Sequence, residues 1–143
     1  MMEKEETIVE ASKYFAMLSE YRSAKEYAAK GNVDRAMVSA VKSSVLYNSL
    51  KKAGFIDNLP EEDLLCFKGI CDDFVQAIAA EAYLAASETA LKEGNIKKSQ
   101  SNYWLIMPGT ELRQYLDSEN GELAKRAKRL DNLLQFVNQK YFN

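Results

Sequence analysis

Apolar residues recur at helical spacing along almost the whole chain, and two of the breaks in that rhythm are built alike. Ile8, Ala11, Tyr14, Phe15, Leu18, Tyr21, Ala24 and Ala28 trace one stripe that ends at Gly31. The break there reads Tyr27-x-x-x-Gly31-Asn32-Val33-x-x-Ala36, and 63 residues later the chain reads Ala90-x-x-x-Gly94-Asn95-Ile96-x-x-Ser99. Glycine accepts the left-handed conformation that closes a helix, and asparagine caps the helix that follows, so each break predicts a tight helix–turn–helix. The match extends upstream at the same offset through Ala11/Phe74, Phe15/Ile78, Tyr21/Leu84 and Ala28/Leu91. Two related helical hairpins follow from the pattern.

The remaining elements are read the same way. Thr7-x-x-Glu10 has the form of a capping box and places the start of the first helix at Thr7. The second helix is expected from about Val33 to Ala53, with Val33, Ala36, Met37, Ala40, Val41, Ser44, Val45 and Tyr47 on its buried side and Gly54 at its end. Its many small residues, Ala36, Ser39, Ala40, Ser43 and Ser44, permit a close approach of helix axes. Asn58 followed by Pro60, Glu61, Glu62 and Asp63 has the chemistry of a helix start. The helix it opens carries Leu64, Phe67, Cys71, Phe74 and Ile78 on one stripe and Val75, Ala79, Ala82, Tyr83 and Ala86 on another, as a centrally placed helix would. A short helix from Ile96 to about Met107 is stopped by Pro108-Gly109, and Thr110 caps a further turn or two before Ser118–Gly121 breaks the pattern again. Leu123, Ala127, Leu130, Leu134, Val137 and Tyr141 then step by 4, 3, 4, 3 and 4, a seam that needs a helical partner. The predicted fold is all-α: a single domain over 1–143 with about five helices, two antiparallel hairpins and a C-terminal packing helix.

Composition narrows the chemistry. At 143 residues the chain is long enough to bury a core without metal or disulfide staples. It contains no histidine, which removes the commonest general base, metal ligand and pH switch together. Cys66 and Cys71 lie five apart in a helical pattern and point roughly 140° away from one another, unsuited to one metal or to a mutual disulfide. They read as small buried hydrophobes in a reducing compartment. The paired acids Asp72 and Asp73 diverge, Glu61, Glu62 and Asp63 suit a helix N-terminus, and no Gly-x-Gly or Gly-Lys-Ser/Thr phosphate loop occurs. The expectation is no enzyme, no cofactor and no metal. The acidic opening Met1–Glu6 does not read as a signal peptide, and no apolar run reaches the roughly 18–20 residues needed to span a bilayer, so a cytoplasmic protein is expected.

The break residues resemble those of tetratricopeptide-like hairpins. Tyr27, Gly31, Val33, Ala36, Ala40 and Ser43 fill the matching slots, with Ala24 where that family favours Gly. In the second copy Gly94, Ile96, Ser99 and Tyr103 match while Ala90 replaces the aromatic, and the 63-residue offset departs from the family's 34-residue repeat. The Ala-rich second helix after Gly-Asn is also similar to HEPN-like bundles. Their ribonuclease members use an Arg-x4-His motif, which a chain without histidine lacks. The resemblance covers roughly 20 residues per copy and implies a hairpin architecture.

Two clusters stand out as binding candidates. Tyr103-Trp104-Leu105-Ile106-Met107 is apolar on more than one helix face, so either the helix is buried on several sides or Tyr103, Trp104 and Met107 form a patch for a partner. Lys125, Arg126, Lys128 and Arg129 supply half of the basic residues in 94–143, a segment with 8 basic and 5 acidic side chains against 11 and 16 in 1–93. They form either a solvated helix face or a site for an anionic partner. The favoured expectation is a non-catalytic protein–protein interaction module, an adaptor or small structural subunit that binds another protein or itself as a homodimer. The alternative is an accessory nucleic-acid-binding subunit using the basic face of the last helix.

Overall fold

The computed structural model of the chain describes residues 2–58, 74–107 and 121–141. Among them are five α-helices and no strand: α1 (Met2–Ala29), α2 (Val33–Lys52), α3 (Phe74–Lys92), α4 (Ile96–Trp104) and α5 (Glu122–Tyr141), with a 3-10 turn at Ile56–Asn58 after α2. Helix α1 pairs with α2 and α3 with α4 as two hairpins, α3 also packs on α1 and α2, and α5 lies against α3 and α4.

The two corners are the same structure twice. Gly31 and Gly94 have φ of 77° and 84°. In the first, Asn32 N donates to Tyr27 O at 2.9 Å and Gly31 N to Ala28 O at 3.0 Å; in the second, Asn95 N donates to Ala90 O at 2.8 Å and Gly94 N to Leu91 O at 3.0 Å. Both are Schellman closures, which satisfy the last carbonyls of the outgoing helix. The same asparagines then cap the next helix: Asn32 Oδ1 accepts from Arg35 N at 3.4 Å, and Asn95 Oδ1 from Lys98 N at 3.1 Å.

Hairpin packing repeats as well. Ala24 and Ala36 are fully buried in the first hairpin, and Ser87 and Ser99, at the same positions of the second, are fully buried too. The serines bond reciprocally across the helix pair: Ser87 Oγ donates to Ser99 O at 2.6 Å and Ser99 Oγ to Ser87 O at 2.8 Å. Small side chains at this crossing bring the helix backbones together, and the hydroxyls reach carbonyls that a methyl cannot.

The core falls into three clusters. One lies where α1, α2 and α3 meet, built on Ala24, Ala28, Ala36, Ala40, Phe74, Ile78 and Ala82, with Tyr21 stacked on Phe74 at 5.3 Å between ring centroids. A second joins Ala80 and Leu84 of α3 to Tyr103, Ile106 and the α5 residues Leu123, Ala127, Leu130 and Leu134. A third, Met17, Leu50 and Ile56, closes the far end of the first hairpin. Helix α3 contributes to two clusters, but not by the two stripes: Ala82 of the second stripe joins Phe74 and Ile78, while Ala80 and Leu84, which enter the other cluster, lie on neither stripe. Four members of the α5 heptad are buried with Val137 partly so.

Four expectations are corrected. Helix α1 runs from Met2, without a start at Thr7. Ile8 and Phe15 are exposed, because α1 is an edge helix while Ile78, the counterpart of Phe15, sits in the centrally packed α3. Helix α2 buries Ala36, Ser39, Ala40, Ser43 and Leu50 and turns Val41 and Val45 to solvent; the close approach to α1 admits small side chains, and Ser43 Oγ satisfies itself on Met17 O at 3.1 Å. Helix α4 ends at Trp104, not Met107, since Leu105 and Ile106 close a turn onto Asn102 O and Tyr103 O. The helix start at Pro60, the acids at 61–63, 72 and 73, Cys66, Cys71, and the breaks and turn between 108 and 120 lie outside the described residues.

Candidate interaction surfaces

The turn that ends α4 sorts its apolar run into two sets. Tyr103 and Ile106, three apart, enter the core beside Ala80 and Leu130, with exposures of 5% and 0%. Trp104, Leu105 and Met107 face outward, Trp104 with 63% of its surface in solvent. Of the three residues expected to form a patch, Tyr103 therefore serves as the anchor, and Leu105 joins Trp104 and Met107 outside. Gln100, one turn back, donates from Nε2 to Asn138 Oδ1 at 2.6 Å and ties this end of α4 to α5.

The basic cluster is divided too. Arg126 turns inward and forms an ion pair with Glu88 of α3, in which Nη2 meets Oε1 and Nε donates to Oε2 at 3.4 Å. The hydrogen bond to Glu88 holds the guanidinium above its ordinary pKa against the opposing effect of burial, and the charges of Glu88 and Glu81 add to it. Lys125 Nζ lies 3.8 Å from Glu122 Oε1, one turn away on the same helix. Lys128 and Arg129 are exposed.

Between α3 and α5 runs a groove of about 360 Å³, lined by Leu91, Leu130 and Leu133 together with Glu88, Lys92, Arg126 and Arg129. A polar cleft of about 490 Å³ opens where the two hairpin corners face each other, lined by Lys30, Asp34, Thr89, Glu93, Lys98 and Asn102. Its two lysines and two carboxylates balance, so it favours neither sign of ligand. Among the described residues no three His, Cys, Asp or Glu side chains converge as metal ligands, and no helix is long and apolar enough to cross a membrane.

A further apolar surface escaped the sequence reading. Val38, Val41 and Val45 project from α2 with exposures of 53%, 46% and 62%, on the face opposite Ala36, Ala40 and Ser43. The signal was present as a spacing of 4, 3, 4, 3 and 4 through Asp34, Val38, Val41, Val45, Asn48 and Lys52. Side-chain size alone ranks the valines as inward, whereas α2 buries Ala36, Ser39, Ala40, Ser43 and Leu50.

Set beside known proteins, the chain matches no family model, no curated protein and no solved structure.

Proposed function

We propose that this chain is a non-catalytic protein–protein interaction module, built of tetratricopeptide-like hairpins, that acts as an adaptor or small structural subunit in the cytoplasm. The observation that carries the reading is the end of α4, where Trp104, Leu105 and Met107 present contiguous apolar surface while Tyr103 and Ile106 fix the turn beneath them. Exposed Trp and Met on a rigidly anchored turn are the residue types and the setting of binding hot spots. Trp104 is 63% exposed beside two further exposed apolar side chains, a grouping that supports an interaction surface.

Trp104 is the sole tryptophan, so its fluorescence reports directly on this surface. The expected emission of the protein alone is that of a water-exposed indole, moving to the blue when a partner covers it. Proteins captured by the wild type should be lost with Trp104→Ala, while the far-UV spectrum and thermal midpoint stay unchanged. Blue-shifted emission in the isolated protein, or an unfolded Trp104→Ala, would place the residue in the core and end the proposal. The nucleic-acid alternative is addressed by salt titration. Arg126 and Lys125 already face carboxylates, so Lys128 and Arg129 support a slope of log affinity on log salt of only about −2.

A further inference from the structure

Helix α2 carries its second apolar face in a form that specifies a partner. Asp34, Val38, Val41, Val45, Asn48 and Lys52 are all exposed and repeat with the alternating spacing of a two-helix seam. Three valines occupy the middle, an acid the first turn and a base the last. The face points away from the buried side of α2, and thus away from the helices that cover that side.

We propose that this face pairs with the same face of a second copy, α2 against α2 and antiparallel, about a two-fold axis. The direction follows from charge. Run antiparallel, Val41 of one copy meets Val45 of the other, and Asp34 of each meets Lys52 of its mate, giving two attractive ends. Run parallel and in register, Asp34 meets Asp34 and Lys52 meets Lys52. A two-fold interface is self-complementary by construction, and this stripe meets that condition with its own residues. Lys42, also exposed, flanks the middle of the seam, where a long flexible side chain leaves room for a partner helix. The seam is about 27 Å long at the helical rise per residue. One helix width over that length falls short of the roughly 800 Å² per partner of a standard interface, so the dimer belongs with weak, exchanging pairs. This surface is separate from the Trp104 patch, and either can fail without the other.

The test is sedimentation equilibrium of the full chain from about 5 µM to about 1 mM, reaching concentrations at which weak, transient pairs associate. The wild-type mass should climb from 16.2 kDa toward twice that value. Val41→Glu and, independently, Val45→Lys should remain monomeric throughout with unchanged helicity, as half-exposed positions allow. Asp34→Lys should weaken association about 10-fold through its two ends. Asp34→Lys combined with Lys52→Asp should restore it. The restoration is diagnostic, because the swap opposes the helix dipole at both ends of α2 and would only harm an isolated helix. A wild type that stays at 16.2 kDa, association that survives both valine variants, or a swap no better than Asp34→Lys alone overturns the proposal.

Discussion

Replacing Gly31 with alanine should damage the fold far more than the same change at Gly94, although the two glycines have nearly the same backbone conformation. At φ of 77° and 84°, an alanine at either site pays for the left-handed region, about 1–2 kcal/mol. Restricting the unfolded chain returns about 0.4–1 kcal/mol of that. Both variants should therefore lose about 1 kcal/mol from conformation alone. What differs is the surroundings. A Cβ at Gly94 would meet nothing within 4 Å, whereas at Gly31 it would lie 2.7 Å from Ala86 N, 2.8 Å from Ala86 Cα and 3.1 Å from Ala85 C. Ordinary carbon contacts are about 3.5–4.0 Å. All three atoms are main chain in the middle of α3, so no side-chain rotation relieves the overlap. Hairpin one must back away from α3, loosening the cluster of Ala28, Ala36, Ala40 and Ala82 whose small side chains depend on that approach. Overpacking of this kind costs about 1–3 kcal/mol more, for a total of about 2–4 kcal/mol. In a chain of this length that is roughly 7–15 °C in thermal midpoint for Gly31→Ala against roughly 3–4 °C for Gly94→Ala. Urea and thermal unfolding followed by far-UV circular dichroism measure both. Ala86→Gly should not rescue Gly31→Ala, since the clash is with backbone. Losses that agree within about 0.5 kcal/mol, the scatter of such comparisons, would refute the close approach of this corner to α3.

Ser87→Ala and Ser99→Ala should each cost about 1 kcal/mol, while the double variant, which copies Ala24 and Ala36 of the first hairpin, should cost clearly less than their sum in a double-mutant cycle. Ser44 Oγ is buried without a hydrogen-bond partner, so Ser44→Ala should stabilise by about 1–2 kcal/mol, read as a higher urea midpoint at unchanged slope. Arg126→Ala should cost about 1 kcal/mol or less, because both partners of the Glu88 pair are about one-third exposed. The raised pKa of Arg126 means that its contribution is fully present below the unfolded-state value and is lost only as pH rises through the folded one. The wild-type minus Arg126→Ala difference should therefore stay flat from about pH 7 to pH 10, as a pH series of unfolding curves will show.

Local chemistry was legible in the sequence and mutual orientation was not. Gly-Asn specifies a corner by itself, through one residue that tolerates positive φ and one that caps, and both corners formed where that pair stands. The α5 heptad was readable because only one side of that helix meets the core. Helix α2 misled because its apolar residues lie on two faces, and size was the wrong guide to which face turns inward. Backbone proximity selected Ala36, Ser39, Ala40 and Ser43 and left the valines outside. Phe15 misled for a related reason: its counterpart Ile78 is buried by neighbours on both sides of α3, which α1 does not have. The basic cluster held charges at the right positions, but nothing in its spacing disclosed that Glu88, 38 residues away, would draw Arg126 inward.

The repeat relates one outward apolar residue of each hairpin to the other. Across the 63-residue offset, Met17 and Ser43 of the first hairpin correspond to Ala80 and Ile106 of the second, and all four are fully or almost fully buried. Large Met17 on the first helix with small Ser43 on the second is replaced by small Ala80 on the first helix and large Ile106 in the turn that ends the second, so the summed volume is nearly kept while its source changes sides. The second helix of each hairpin also turns the same repeat position outward. Val41 and Trp104 occupy that position, and both are exposed. The valine seam and the tryptophan patch thus share one repeat position, Val41/Trp104, while Val38 corresponds to Ser101 and Leu105 to Lys42. Only the first copy carries the end charges needed for self-pairing, because Asp34 corresponds to Lys97 in the second. If both surfaces bind, the first hairpin should hold a second copy of the chain while the second hairpin holds a different protein, and Val41→Glu and Trp104→Ala should abolish the two interactions independently.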